Sequence, residues 1–241
     1  MSKKIFIHGG SSLISKFLIK KFKHETSEFY IFCRDIKKTK LIIGNENLTE
    51  SKFYFFENNL ENLEETFEDL NKIPNELDGI FWVTGFTGDV QKELNSIEKA
   101  SLNLKINFTN VVLCLSFLIK KMRISKQSFI CVITSVAGLR GRKRKLFYCS
   151  AKSGLINFLS GLRQELNGKI NVLTVIPGYI STNSFNEKSY QFLITSPEKM
   201  SKKIYEAIKK NKEIIYVGGI WRILMFLISI IPEKIFKKLK F

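Results

Sequence analysis

The chain contains few of the residues that build metal sites and disulfide frameworks. Its 241 residues include only two histidines, four prolines and four cysteines. Two histidines argue against a metal site built from imidazole ligands. The cysteines, Cys33, Cys114, Cys131 and Cys149, each lie in or beside an apolar run. This placement is typical of buried, reduced thiols in a cytoplasmic protein rather than of a disulfide framework.

Acidic residues are scarce relative to basic ones. The chain has 22 Asp+Glu against 39 Lys+Arg, which gives a formal net charge of +17. Such an excess calls for an anionic partner, which can be nucleic acid, a phosphorylated substrate, an acidic carrier protein or a membrane surface. The hydrophobic content of 44% supports a packed core and excludes a disordered basic tail protein.

Long hydrophobic runs are also missing. The longest, residues 220–231, is interrupted by Arg222 and Ser229 and is shorter than the roughly 20 residues that a membrane-spanning helix needs. At the N-terminus the glycine pair Gly9 and Gly10 comes too early for the apolar region of a signal peptide. We therefore expect no targeting segment.

Short apolar segments alternate with longer helical patterns. The strand candidates are residues 4–8, 29–33, 53–56, 79–84, 128–134, 171–176 and 213–217, and the helical candidates are residues 12–24, 60–72, 92–122, 147–167 and 197–211. This alternation predicts an α/β fold, a single Rossmann-like doubly wound domain with a parallel seven-stranded sheet and helices on both faces. The domain is expected to cover residues 1–217, and residues 218–241 form a distinct amphipathic helical tail.

A glycine–serine turn follows the first strand. Small residues there let the backbone approach a pyrophosphate, and the N–H groups of the next helix point toward it. Gly9, Ser11, Ser12, Leu13 and Ile14 are the candidate cofactor contacts. A plain connection between strand and helix is the alternative interpretation.

Arg34 follows the second strand, where the adenosine ribose of a dinucleotide would lie. A cation at this position favours a 2′-phosphate, and hence NADP(H) over NAD(H), although NAD(H) stays possible. The alternative is a solvated loop charge, and the neighbouring Asp35 complicates the prediction.

The strongest chemical pattern combines Ser135 with Tyr148 and Lys152. Tyr148 and Lys152 are four residues apart, so a helix places them on one face. An ammonium near a phenol favours the phenolate and lowers its pKa. Ser135, at the end of its strand, is positioned to hydrogen-bond a carbonyl oxygen. The three residues suit protonation of an alkoxide formed by hydride transfer.

With these motifs the sequence resembles the short-chain dehydrogenase/reductase family over nearly its whole length. The resemblance implies a catalytic tetrad of Asn107, Ser135, Tyr148 and Lys152. In it Tyr148 is the acid/base, Lys152 lowers its pKa and holds the nicotinamide ribose, Ser135 orients the carbonyl, and Asn107 holds a relay water. It also implies cofactor contacts by Asn59, Leu60 and Gly85, and by Pro177, Gly178, Ile180 and Thr182, which close on the nicotinamide amide.

Three motifs depart from the family pattern. The family's glycine loop has Thr where this chain has His8, and glycines where it has Leu13 and Ser15. Val83 and Thr84 replace the usual Asn-Ala before Gly85, and Asn59 replaces the Asp that contacts adenine. An inactive relative is the alternative these changes raise, but all four tetrad residues are present.

Two segments concentrate the positive charge. Between Ser135 and Tyr148, five of the eight residues 139–146 are basic, and Arg140, Arg142 and Arg144 are candidates for binding a substrate phosphate. We call residues 139–146 the basic insert; a solvated cationic loop is its alternative interpretation. Residues 218–241, the tail, combine an apolar helix with a basic amphipathic end. This pattern predicts an anchor on an anionic membrane surface, and packing on the domain or on a second subunit is the alternative.

Within the family, these two segments resemble those of reductases that act on polyprenyl-phosphate-linked keto sugars. The resemblance implies a lipid-phosphate or other anionic keto substrate, a cytoplasmic enzyme peripheral on the inner face of the membrane, and a homo-oligomer. A soluble ketoreductase acting on a carrier-protein-bound or small carbonyl substrate is the alternative. A nucleic-acid-binding protein is a remote one, because no recognition motif is present.

Overall fold

A computed structural model describes residues 3–44, 49–181 and 193–239. Seven parallel strands form one sheet in the order β3-β2-β1-β4-β5-β6-β9. They are β1 (Lys3–His8), β2 (Thr26–Cys33), β3 (Lys52–Glu57), β4 (Gly79–Trp82), β5 (Phe129–Ile133), β6 (Asn171–Pro177) and β9 (Ile214–Val217). Two short strands, β7 (Tyr179–Ile180) and β8 (Ile194–Thr195), pair separately. The predicted doubly wound sheet is confirmed.

Ten helices connect and flank these strands in the described residues. They are α1 (Leu13–Phe22), α2 (Ile36–Ile43), α3 (Leu63–Asn71), α4 (Val90–Leu94), α5 (Ile97–Leu104), α6 (Asn110–Ile119), α7 (Leu146–Glu165), α8 (Pro197–Lys209), α9 (Ile220–Ser229) and α10 (Glu233–Phe236). Side chains cap several helix starts, as when Ser12 accepts from the Ile14 N–H and Ser196 from the Lys199 N–H. A π-helical turn, Lys105–Thr109, joins α5 to α6.

The hydrophobic core lies in two layers, one on each side of the sheet. Successive side chains of β1 alternate between them: Phe6 belongs to one layer and Ile5 and Ile7 to the other, all fully buried. This alternation follows from the two-residue repeat of a strand, and helices cover both faces. A third, smaller cluster lies under α9, where Trp221 and Met225 are buried.

The continuous helical stretch Ile97–Ile119 has the length and composition of a membrane span. In the fold, one side of this stretch packs in the core. Val111, Cys114 and Leu115 on it are fully buried in the core layer that also contains Phe6. Its buried Asn107 faces the carboxyl ends of the strands, where a doubly wound sheet forms its ligand crevice.

Candidate active site

The loop after β1 has the shape of a phosphate cradle. Gly9 has φ +97°, and a Cβ at this position would lie 2.8 Å from Thr84 Oγ1 and 2.9 Å from its backbone nitrogen. Glycine is therefore required there, both for the backbone angle and for the close approach. The buried Ser15 Oγ donates to the Gly9 carbonyl at 2.8 Å, and Ser11 shares a 2.7 Å hydrogen bond with Thr39 Oγ1. Side-chain hydrogen bonds thus hold a turn in which the family uses further glycines.

A cleft of about 340 Å³ opens beside this loop. Seven of the predicted cofactor residues line it, namely Gly9, Ser11, Ser12, Arg34, Asn59, Leu60 and Gly85. Leu13 and Ile14 do not: Leu13 is partly exposed at the start of α1, and Ile14 packs with the core layer of Ile5. Their role as cofactor contacts stays a prediction.

Asp35, which complicated the assignment of Arg34, has a structural role. Its carboxylate accepts the Lys38 N–H at 2.8 Å and caps α2. Arg34 itself is exposed and lines the cleft at the end of β2. The cation is therefore available at the predicted ribose position, while the neighbouring acid is already hydrogen-bonded to the helix that follows.

His8 forms part of the cleft floor at the end of β1. Its ring stacks on Trp82 with centroids 4.3 Å apart, and its Nδ1 shares a hydrogen bond with Thr84 Oγ1. Burial lowers the pKa of His8 to about 3, so the ring is neutral. His8 therefore fills the place of the family threonine as an uncharged, packed side chain that bonds to the strand-end residue Thr84.

Ser135, Tyr148 and Lys152 meet at the carboxyl end of β5. Ser135 follows β5 and accepts the Ala137 N–H at 3.1 Å, and its side chain is hydrogen-bonded to Tyr148. Tyr148 and Lys152 lie on α7, with Lys152 Nζ 5.8 Å from the Tyr148 ring centroid. Lys152 is 2% exposed and donates to the Ile133 carbonyl at 3.4 Å. The predicted serine, tyrosine and lysine are thus brought together.

Burial changes the acid–base properties of this group. Burial raises the pKa of Tyr148, while its hydrogen bond with Ser135 and the charge of Arg142 act in the opposite direction. Burial also lowers the pKa of Lys152 to about 8. Burial dominates both shifts. The effect of Lys152 on the pKa of the phenol stays a prediction.

Asn107 ties the loop after β4 to the helix behind it. Its Nδ2 donates to the Phe86 carbonyl at 2.6 Å and to the Asn103 carbonyl at 3.0 Å, and its Oδ1 accepts the Phe86 N–H at 3.0 Å. A Cβ on Gly85 would lie 3.6 Å from that Oδ1 and 3.5 Å from Lys152 Nζ. Gly85, which lines the cleft, therefore lies next to both Asn107 and Lys152. The role of Asn107 in a proton relay stays a prediction.

The segment after β6 lies at the same edge of the sheet. Pro177 ends β6, Gly178 N–H donates to the Val217 carbonyl at 3.3 Å, and Ile180 lies in β7 and packs against the core. A Cβ on Gly178 would lie 1.9 Å from Trp221 Nε1, so α9 covers this segment directly. Thr182, the last residue predicted here, lies outside the described residues.

The three arginines of the basic insert have different environments. Arg140 is bound by the tail: its guanidinium donates to the Ser229 and Ile231 carbonyls at 3.2 and 3.1 Å, and to Glu233 at 2.7 Å. Its prediction as a substrate-phosphate ligand is therefore corrected, because its donors already hold α9 and α10. Arg142 is half-buried and close enough to Tyr148 to influence its pKa, and Arg144 is exposed.

Two residues that the sequence did not single out support the site from behind. Glu93 is 4% exposed and accepts a hydrogen bond from Asn103, which is fully buried and in turn accepts from Asn107. The four-residue spacing of Asn103 and Asn107 on one helix face was the available signal. Glu93 is separate in sequence, and nothing local marks it as their partner.

The family model described as short chain dehydrogenase matches residues 3–192. The chain belongs to the short-chain dehydrogenase family, whose members are NAD(P)-dependent oxidoreductases.

Individual relatives agree with this assignment. An uncharacterised oxidoreductase of Mycobacterium tuberculosis is 24% identical over 156 residues, which cover 64% of this chain and 63% of the relative. A 3-oxoacyl-[acyl-carrier-protein] reductase of a Synechocystis species is 34% identical over 100 residues, 41% of this chain and 40% of the relative. Among solved structures, BdcA in complex with NADPH superposes with a TM-score of 0.73 at 17% identity, covering 90% of this chain and 93% of BdcA.

Proposed function

We propose that the protein is an NADP(H)-dependent reductase of a keto group on a polyprenyl-phosphate-linked sugar, working at an anionic membrane surface. The observation that carries the proposal is the two-sided character of α9. One side buries Trp221 and Met225 against the domain, while Ile223, Phe226 and Ile230 are 60–64% exposed on the other. An apolar surface attached to a ketoreductase-type site suits a lipid-linked substrate.

The chemistry follows from the positions of Ser135 and Tyr148. When bound, the nicotinamide cofactor would supply the hydride to the carbonyl carbon. Ser135 orients the carbonyl oxygen through its hydroxyl, and Tyr148 donates the proton that converts the developing alkoxide to an alcohol. Burial of Tyr148 keeps the phenol protonated before reaction. Lys152 lies next to Gly85 at the cleft, which supports its proposed hydrogen bond to the nicotinamide ribose.

The residues present fit a phosphorylated dinucleotide. Gly9 permits close approach to the pyrophosphate, and Ser12 begins α1 so that the helix N-terminus faces it. Arg34 supports a preference for the 2′-phosphate of NADP(H), because an exposed cation lines the adenosine end of the cleft. NAD(H) lacks that phosphate and is the weaker ligand in this proposal. Solved structures of similar fold are complexed with NADPH or with NAD and are compatible with either cofactor.

Arg142 supports an anionic substrate. It is half-buried in the basic insert, beside the phenol that would donate the proton. A guanidinium beside the phenol suits a substrate whose phosphate lies a few bonds away from the keto group. Arg144, exposed in the same loop, adds positive potential at the entrance.

The tail supports a peripheral position on the inner face of the cytoplasmic membrane. Arg222, Lys234, Lys237 and Lys238 flank the exposed apolar side chains of α9 and α10. Near an anionic surface each cation contributes about 1 kcal/mol of attraction.

The exposed Leu94, Ile97 and Leu113 on α4 to α6 support a homo-oligomer formed through these helices.

Among characterised reductases, four segments of this chain resemble decaprenylphosphoryl-2-keto-β-erythro-pentose reductase. The similarity lies in residues 85–89, in residues 105–109 around Asn107, in the basic insert and in the tail.

A second candidate function has its own support. The matched carrier-protein reductase of Synechocystis favours a carrier-bound 3-keto substrate, which the basic surface would also attract.

NADPH oxidation separates the two candidates. The full chain is assayed with polyprenyl-phosphate-linked keto sugars in anionic vesicles and with acetoacetyl carrier protein in solution. We expect turnover of the lipid-linked substrate and little of the carrier-bound one. Turnover of the carrier-bound substrate alone would replace the proposal with the second candidate. Vesicle sedimentation of a variant with Ile223, Phe226 and Ile230 changed to Ser tests the membrane contact, and undiminished binding would contradict it.

A further inference from the structure

A groove of about 490 Å³ lies between the start of the basic insert and α9. Leu139, Ile223, Met225 and Phe226 supply apolar walls, and Arg222 and Ser229 are polar members of its lining. This groove is separate from the dinucleotide cleft, whose lining comes from the ends of β1 to β4. It is therefore a second concave surface, apolar for most of its lining, on the side of the molecule where the tail packs.

We infer that this groove binds the first isoprenoid units of a lipid-phosphate substrate; the inference rests on the proposed function. Concave, mainly apolar surfaces with a few polar groups are typical of ligand sites. An isoprenoid chain needs apolar walls along its length and a cation near its phosphate end. The groove supplies the apolar walls, and the basic insert, which begins at the lining residue Leu139, supplies cations at one end.

One wall of the groove belongs to the loop that follows Ser135. Leu139 lies four residues after Ser135, and the intervening 3₁₀ turn, Val136–Gly138, is buried. The next residue, Arg140, bonds to the Ser229 and Ile231 carbonyls and stacks on Phe236, with its guanidinium carbon 4.3 Å from the ring centroid. The active-site loop and the tail are thus joined where they form the two walls. A chain in the groove would have its phosphate end next to the basic insert.

The groove also continues onto the exposed apolar side of α9. Ile223 and Phe226 line the groove and are each 64% exposed. The same two side chains belong to the surface that we propose to contact the membrane. Because the groove and this surface are continuous, a hydrocarbon chain that extends from the bilayer is a better occupant of the groove than a second copy of the protein.

A filled groove tests the inference without removing the apolar surface. Ser229 is exposed and lines the groove, so Ser229→Phe adds a ring within it, and Ser229→Ala removes only the hydroxyl. Ile230→Phe is the matched control, because Ile230 is 60% exposed and is not one of the groove-lining residues. Calorimetric titration of each full-length protein with farnesyl phosphate and with chain-free methyl phosphate, in the presence of NADP⁺, measures the contribution of the chain.

We expect farnesyl phosphate to bind the wild type at least about tenfold more tightly than methyl phosphate. This preference should fall to about threefold or less in Ser229→Phe and persist in Ser229→Ala and Ile230→Phe. Thermal melting and unchanged NADPH binding show whether the variants fold, and Ser229→Leu gives a smaller filling group if Ser229→Phe does not. Equal binding of the two phosphates, or an unchanged preference in a folded filled variant, overturns the inference.

The outcome is independent of the proposed reaction. A retained farnesyl preference without turnover of lipid-linked keto sugars keeps the groove and removes the proposed substrate. Turnover of those sugars without any chain preference keeps the proposed function and removes the groove.

Discussion

The loop after β1 and the wall formed by β5 and α7 line one active site but follow the family pattern to different degrees. The loop has His8, Leu13 and Ser15 where the family has threonine and glycines, whereas the wall has Ser135, Tyr148 and Lys152 unchanged. The loop needs only a backbone path, which hydrogen bonds from Ser15 and Ser11 maintain. In the proposed reaction the wall must present particular atoms to the substrate carbonyl. Shape can therefore be supported by several side chains, while proton transfer depends on one.

The largest effect is expected where a single atom is essential. Tyr148→Phe removes the proton donor and should lower turnover by about 10²- to 10⁴-fold, the usual contribution of general acid catalysis. The dissociation constant for NADPH should change by less than about twofold, because the ring remains. Steady-state kinetics and fluorescence titration measure the two effects. Tyr54→Phe, on the partly exposed stack with Tyr30, is the control. Unchanged turnover in Tyr148→Phe would refute the assigned role.

The next largest effect is on how the free energy of unfolding depends on pH, and it tests the burial of Lys152 in the wall. The pKa of Lys152 is about 8 in the folded chain and higher in the unfolded one. Between these values the unfolded state binds more protons, so this lysine's contribution to stability rises with pH. The rise amounts to about 3 kcal/mol between pH 7 and pH 10.5. Lys152→Met should lack it, as urea unfolding of the cofactor-free protein would show. The exposed Lys143→Met is the control, and parallel pH profiles for wild type and Lys152→Met would contradict the burial argument.

A smaller effect is expected at the adenosine end of the cleft. Arg34→Ala should raise the dissociation constant for NADPH by about tenfold, as expected for the loss of one charge-assisted hydrogen bond. The constant for NADH should stay nearly unchanged, because NADH carries no 2′-phosphate. Equilibrium titrations with both cofactors give the comparison, with the exposed Lys37→Ala as control. Equal weakening of both cofactors would remove Arg34 as the discriminating residue.

The smallest effect is expected in the loop after β1, because more than one side-chain hydrogen bond holds its conformation. Ser15→Ala removes the hydroxyl that donates to the Gly9 carbonyl and should lower the free energy of unfolding by about 1 kcal/mol. NADPH binding should weaken only a few-fold, with turnover at saturation preserved. Ser116→Ala, which removes an exposed bond within α6, is the control. A large loss of turnover would show that the loop, like the wall, depends on one atom.

Strand positions and the catalytic wall were predictable from local patterns. All seven sheet strands coincide with predicted apolar segments, because buried parallel strands are continuous apolar runs. Helix α2 was missed because three lysines in eight residues obscure its apolar face. Ser135, Tyr148 and Lys152 were identified because helical and strand-end spacing brings them together without any distant contact.

The role of Arg140 was not predictable. Its partners Ser229, Ile231 and Glu233 are 89 to 93 residues away along the chain, so no local pattern pairs them. The inward side of α9 was ambiguous for the same reason. Only the fold shows that Trp221 packs over Gly178, 43 residues earlier in the sequence.

That packing has a practical consequence for the design of shortened proteins. A chain ended at Val217 would lose Trp221 and Met225, the side chains that cover Val136 and Ile176 beside the catalytic serine and the end of β6. Its loss of activity would then report lost packing beside Ser135, and not simply the loss of the proposed membrane contact. Point substitutions on the outward side of α9 test that proposed contact separately from catalysis, whereas removal of the tail conflates the two.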